Sequence, residues 1–395
     1  MASAVPIDKS TGTGEEGSDL LRLSQDQITT FLRDGVLVVD HILTAAQVDA
    51  AQQGLSDTLA RHGVDTNDLV STGCALQKLS STNGSGGVLD LFYDEWKMDV
   101  ATNHRLFSIT TTLWEEAYCH RGEEKEELEH DNNGFKWHPY GYFDYRKGYS
   151  YFDRVGYRLP TLLAEQLGAQ LLEGSTVPTK KKKKVPAIQR SLTPHLDCCP
   201  ETFYKDDDGG NPKSKWRPIQ CFVSLTDNLQ ADTGGFEAAR GFHRTFAAWA
   251  TDRVPTSVTH KSNGSLETIS FPAPCLGEYT HMRPKEDRDV MERVQHIPVK
   301  AGSAVFWDNR IPHANAYRHD GKIPRCVVYC SFLPDVSMNR RYAANQLENW
   351  MQGWQPTDQW INRIEDDPCE LVEDLSAKFG ALTPLGRRLL SIDPW

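Results

Sequence analysis

Thr193-Pro194-His195-Leu196-Asp197 sets an imidazole and a carboxylate two residues apart, and Ile311-Pro312-His313 offers a second imidazole far downstream. Successive side chains on a strand point to opposite faces, so on a strand His195 and Asp197 would share one face. Two histidines and one carboxylate on one face of a metal ion are the ligand set of non-haem Fe(II) oxygenases, which leave the other positions open for a co-substrate and O2. The His-x-Asp string alone says little, because a satisfied histidine beside a surface aspartate is its ordinary meaning. What surrounds it carries the weight.

From residue 186 to 333 the chain is a series of short apolar runs broken by turns. Ile219 to Thr226 alternates, with Gln220, Phe222 and Ser224 on one face. Asp232-Thr233-Gly234-Gly235 is a turn, residues 296–308 read as strand, tight turn and strand, and residues 325–333 read as a closing strand. Such spacing predicts a mainly β protein with flanking helices, its core a double-stranded β-helix (a cupin-like jelly roll) enclosing a pocket. Ahead of it, Ser24/Gln27 and Thr44/Gln47 form two capping boxes, and Gly35 stops the first helix. A strand at Val36–Val39 lies between the two helices they open. Residues 104–118 and 159–167 read as further helices, the latter stopped at Gly168. The polar, glycine-rich stretch Ser80–Gly87 reads as a mobile loop. Six tyrosines and two phenylalanines between residues 140 and 157 are equally suited to pocket wall and to core.

The 395 residues carry a net charge of −11, with 25% charged and 39% hydrophobic residues. This is the balance of an ordinary globular chain and a poor general match for polyanions. No apolar run reaches the length of a membrane span, and the N-terminus has no apolar signal core. These features point to a cytoplasmic, non-secreted protein. Its nine cysteines, with no CxxC pair, are expected as free thiols. Residues 1–18 read as a disordered tail. Lys180–Lys184, five consecutive lysines, read as an exposed loop that could also serve as a nuclear address or a phosphate contact.

Taken together, several segments resemble the phytanoyl-CoA dioxygenase family of Fe(II)/2-oxoglutarate oxygenases. These are LSQDQITTFLRDGVLVVDHILTAAQVDA, TPHLD, VSLTDNLQADTGGFEAARGFHR and AGSAVFWDNRIPHANAYRHDGKIPRCVVYCSF, in the family's order from about residue 20 to 335. The resemblance implies one oxygenase domain over residues 19–336. It comprises a helical part at 19–185 and a jelly-roll core at 186–336, with a helical extension at 337–395 packed on the core. It implies Fe(II), 2-oxoglutarate and O2 as cofactor and co-substrates, with His195, Asp197 and His313 as iron ligands. Arg325 would take the distal carboxylate of 2-oxoglutarate in a bidentate fork, with Arg318 as competitor. Asn315, Phe222 and Gln189 are further co-substrate contacts by position. Asp197 fills the place that related halogenases leave without a carboxylate, which argues for hydroxylation or desaturation of a small organic molecule, giving succinate and CO2. His243 lies where the family has a Gly-Ser-His element, but Phe242 departs from it, so His243 reads as structural. Two other readings remain: a nucleic-acid- or protein-modifying oxygenase using Lys180–Lys184, and a catalytically silent jelly-roll binding protein.

Overall fold

The computed structural model describes residues 22–119, 143–173, 187–200, 203, 215–251, 256–262, 265–271, 279–356 and 382–395. Its elements begin with α1 (Gln25–Asp34), β1 (Val36–Val39), α2 (Ala45–Arg61) and α3 (Leu69–Thr72). Next come β2 (Val88–Leu89), α4 (Glu95–Ala101), α5 (His104–Tyr118), β3 (Gly148–Arg158) and α6 (Thr161–Glu173). After these lie β4 (His195–Leu196), β5 (Ile219–Ser224), β6 (Phe236–Ala239), α7 (Phe246–Thr251), β7 (Thr256–Ser262) and β8 (Ser265–Phe271). The last are β9 (Thr280–His281), α8 (Arg288–Arg293), β10 (Val294–His296), β11 (Ala304–Asp308), β12 (His313–Asn315), β13 (Arg325–Pro334), α9 (Ser337–Met351) and α10 (Pro384–Leu389).

Both capping boxes form. The Ser24 hydroxyl accepts from the Gln27 amide at 3.2 Å while Gln27 Oε1 accepts from Ser24 N at 2.9 Å, and Thr44 and Gln47 repeat the arrangement. Gly35 ends α1 at φ 66°, and a Cβ there would lie 2.5 Å from His243 Nδ1, so glycine is required twice over. Chain reversal at Gly35 lays β1 along β11.

Two antiparallel sheets follow. The six-stranded sheet runs β1-β11-β5-β13-β3-β2 and the five-stranded sheet β10-β6-β12-β4-β9, with β7 and β8 a separate hairpin. Alternation along the strands divides the large sheet between two cores. Ile219, Cys221, Val223, Phe306 and Val328 face a helical layer that includes Phe31, Leu55, Leu106 and Leu113. Phe222, Val305, Trp307 and Val327 face the small sheet, where they meet Leu196, Phe236 and Ala238. Phe236 bridges the gap, with ring centroids 4.9 Å from Trp307 and 5.4 Å from Phe222. On the outer side of β3, the Gln346 amide of α9 accepts from Phe152 N and donates to Ser150 O, both at 2.8 Å. The Trp395 indole donates to Gly148 O at 2.8 Å.

Four expectations change. The helix at 159–167 begins at Thr161 and continues through Gly168 to Glu173, because apolar residues such as Leu171 keep packing beyond the glycine. Ser80–Gly87 is not loose: Gly86 N donates to Arg190 O at 3.1 Å and Arg190 N to Gly84 O at 2.9 Å. Residues 187–193 form no strand apart from an isolated Ser85–Arg190 bridge, since that backbone bonds to the glycine loop instead. Cys199 is disulfide-bonded rather than free, while Cys74, Cys119, Cys198, Cys221, Cys326 and Cys330 are free thiols. Lys180–Lys184 and residues 1–18 lie outside the described residues. No helix among the described residues is long and apolar enough to cross a membrane.

Candidate metal centre

His195, Asp197 and His313 converge, with one ligand atom from each lying within 4.8 Å of the others. The strand supporting the first pair is short. His195 belongs to the two-residue β4, and Asp197 sits just past its end, so strand alternation alone does not explain their common direction. Pairing supplies the rest: His313 opens β12 and is the direct register partner of His195. Residues opposite one another on antiparallel strands project to the same face. The two imidazole centroids are 4.5 Å apart.

Each ring is held the same way. Nδ1 of His195 lies 3.0 Å from the Thr193 carbonyl oxygen, and Nδ1 of His313 lies 3.0 Å from that of Ile311. A carbonyl can only accept, so Nδ1 carries the proton in both rings and Nε2 presents a lone pair. Metal-ligating histidines are oriented in this manner. Nε2 of His195 is 3.5 Å from one Asp197 oxygen and Nε2 of His313 is 3.6 Å from the other. Burial, reinforced by His313, pulls the His195 imidazole down to about 4, leaving it neutral and fit to ligate near neutral pH. Burial would raise the Asp197 carboxyl, but its close neighbours His313, His195 and the Arg217 guanidinium outweigh it and hold the group below its ordinary range. Two imidazole nitrogens facing an ionised carboxylate form a donor set suited to a divalent cation with mixed nitrogen and oxygen preference.

A cavity of about 210 Å³ opens in front of these residues. Trp307, Phe236 and Tyr279 wall the metal side, Tyr279 stacking on His195 with centroids 4.7 Å apart. Tyr151, Asp153, Lys215 and Arg217 line it as well, and so do Thr82 and Ser85 of the glycine loop. Of the aromatic run, Tyr151 therefore reaches the cavity while Tyr149, Phe152 and Tyr157 are buried in core.

The remaining sequence-derived positions separate into groups. Asn315 lines the cavity and accepts from Arg325 Nη1 at 3.0 Å, and its own amide donates to the Tyr329 hydroxyl at 2.8 Å. Arg325 does not itself line the cavity but lies behind Asn315: it is 3% exposed, its guanidinium carbon is 5.2 Å from the Phe222 ring centroid, and its Nε and Nη2 are buried with no hydrogen-bond partner. Phe222 is fully buried against Phe236 and Trp307 and does not line the cavity. Gln189 also stays off the cavity wall: its amide accepts from Leu159 N at 2.8 Å and donates to Tyr157 O at 2.7 Å, tying residue 189 to β3. Arg318 is exposed and paired with Asp320 at 2.6 Å. His243 is buried, its Nε2 bonded to Leu32 O at 3.0 Å, a structural position.

Sequence reading missed Arg217, whose Nη2 lies 3.6 Å from Asp197 and whose Nη1 lies 3.1 Å from Asp153. It precedes β5 with no spacing motif of its own. Asn309 was missed as well; its amide donates to the Asp197 carbonyl at 3.3 Å and accepts from Gln220 at 2.5 Å. Its place directly before the Arg310–His313 approach was the available signal.

Comparison with known proteins gives a consistent overall architecture. The GlcNAc Inducible Gene 2 protein of Candida albicans superposes with TM-score 0.63 at 16% identity, covering 95% of this chain and 77% of that one. A protein of Escherichia coli gives TM-score 0.57 at 15% identity over 94% and 82% of the two chains. A protein of Salmonella typhimurium LT2 gives 0.54 at 16% over 93% and 82%. At such identities these likenesses establish the fold alone. No curated protein sequence matches the chain. The phytanoyl-CoA dioxygenase family is not the one that the family comparison returns. Over residues 214–368, less than half of the chain but including β5, His313 and Arg325, the sequence is similar to the Gig2-like family.

Proposed function

We propose that this protein is a non-haem Fe(II)/2-oxoglutarate-dependent oxygenase that oxidises a small organic molecule. The observation carrying this reading is the pairing of a convergent His195/Asp197/His313 set with a buried arginine, Arg325, whose free N–H groups await an acceptor. Strand order supports it: β11-β5-β13-β3 opposite β10-β6-β12-β4 is the order expected of a jelly roll built from residues 148–334. Residues 19–336 would then be one catalytic unit, with 337–395 an outer buttress.

Bound iron and 2-oxoglutarate would supply dioxygen activation, leaving succinate and CO2 as co-products. The chain's part is to hold and to exclude. His195 and His313 present Nε2 because Thr193 and Ile311 fix their tautomers. Asp197 supplies the anionic ligand, steadied by Arg217. Arg325, with Asn315 beside it, offers the charge for a distal carboxylate. Trp307, Phe236 and Tyr279 keep the metal side of the cavity apolar and limit water there. With Asp197 in place as a third ligand, the reading favours hydroxylation or desaturation over halogenation.

Anaerobic titration of the apoprotein with Fe(II), then with 2-oxoglutarate, tests this directly. A weak visible charge-transfer band should appear on the second addition and be lost in His313→Ala. Iron binding without the band would remove the co-substrate from the reading, and failure to bind iron would remove the metal.

A further inference from the structure

Arg325 opens β13 and Arg158 closes β3, and the two are direct register partners. Residues so paired have Cβ atoms roughly 4.5–5.5 Å apart on one face, and like charges at such positions repel. Both side chains are buried, Arg158 to 2% exposure and Arg325 to 3%. Among the described residues neither has an acidic partner. Arg158 donates Nη1 to Arg190 O at 3.0 Å and Nη2 to Tyr317 O at 2.6 Å, and its guanidinium faces the Tyr317 ring. Those contacts are to neutral groups. Nε of Arg158, together with Nε and Nη2 of Arg325, is buried without a hydrogen-bond partner. Burial, with the Arg325 charge adding to it, pulls the Arg158 guanidinium down to about 10, a mark of how poorly that charge is compensated.

A purely architectural role for Arg158 explains two of its bonds. It leaves unexplained why a second buried cation stands directly opposite, and why three guanidinium nitrogens of the pair have no acceptor. An unpaired buried charge is strongly unfavourable, and a cross-strand pair of like charges is more so. An anion entering between them would remove both penalties. We propose that Arg158 and Arg325 together form a two-guanidinium dock for the distal carboxylate of a dicarboxylate, so that Arg158 is a second co-substrate-binding residue. This rests on the 2-oxoglutarate reading above, and it adds a selectivity: keto acids without a second carboxylate gain nothing from the dock.

The test is calorimetric binding to anaerobic Fe(II)-loaded protein, comparing 2-oxoglutarate with 2-oxobutyrate, which keeps the keto acid and lacks the distal carboxylate. Wild-type protein should bind 2-oxoglutarate at least about tenfold more tightly. Arg158→Gln and Arg325→Gln should each erase most of that preference, and Arg158→Lys should restore part of it by returning the charge. A normal preference in folded Arg158→Gln, with loss in Arg325→Gln, overturns the dock and leaves the oxygenase reading standing. Should Arg158→Gln fail to fold, Arg158→Lys decides in its place: a preference between those of wild type and Arg325→Gln supports the dock, and a preference equal to wild type overturns it. Absence of 2-oxoglutarate binding to iron-loaded wild type defeats the oxygenase reading itself.

Discussion

Arg310 and Arg325 are buried almost equally, at 1% and 3% exposure, yet their surroundings are opposite in kind. Arg310 donates Nε and Nη2 to the two oxygens of Asp308 at 2.8 and 2.7 Å, and the Tyr118 hydroxyl completes the carboxylate at 2.5 Å. Its charge is answered inside the chain. Arg325 meets one neutral amide and the face of Phe222, with a second arginine across the strand pair. Both lie on the approaches to His313, one before it and one after. On the function proposed above, the difference separates architecture from binding: a buried cation with its anion in the fold holds the fold together, whereas one without it is the candidate to receive an anion from solution.

Breaking the internal pair should have the largest effect. Asp308→Asn leaves Arg310 buried without its counter-charge, and a loss of about 3–5 kcal/mol in urea unfolding is expected. A loss below about 1 kcal/mol would show that the Arg310 cluster is no more structural than its counterpart. The sign with pH follows. Burial raises the Asp308 carboxyl, but Arg310 outweighs it and the group stays below its ordinary value of 3.8. A carboxyl depressed in the fold contributes stability above that ordinary value and loses it as pH falls through the depressed one. The gap between wild type and Asp308→Asn should therefore be full at neutral pH and close only in strong acid.

Arg325→Gln should have the smaller and contrasting effect. It removes an uncompensated cation that faces Arg158, so the apoprotein should lose no stability and should gain some, while 2-oxoglutarate binding should lose about 1.5–3 kcal/mol. Thermal denaturation with and without ligand reads both quantities. A large loss in the apoprotein would mean that Arg325 is architecture after all, and the contrast with Arg310 would collapse.

How much of this was legible in the sequence depends on whether the cause was local. Capping boxes, the Gly35 stop and the alternation of β5 depend on neighbours a few residues away, and the chain forms them as written. His195, Asp197 and His313 were legible as a set of residue types, but the geometry that joins them is the β4–β12 pairing, which no spacing encodes. Gln189 shows the opposite outcome. Its position suggested a co-substrate contact, yet the backbone beside it bonds to the Gly84–Gly86 loop, and the side chain turns to β3. Arg158, Arg217 and Asn309 acquire meaning only through partners distant in sequence, such as Arg325 and Asp197.

The smallest expected effect falls on Arg318, and its smallness sharpens the comparison. Arg318 and Arg325 flank the same turn, both carry a full charge, and sequence spacing admits either as the carboxylate anchor. They differ in what surrounds the charge. Arg318 is solvated and already bonded to Asp320, so a carboxylate would have to compete with both water and an internal partner. Arg318→Ala should leave unfolding and 2-oxoglutarate affinity unchanged within measurement error, including at low ionic strength, where surface charge effects are greatest. A tenfold loss of affinity in Arg318→Ala would move the anchor to the surface turn. Burial without an internal counter-charge would then no longer be what marks the binding arginine in this fold.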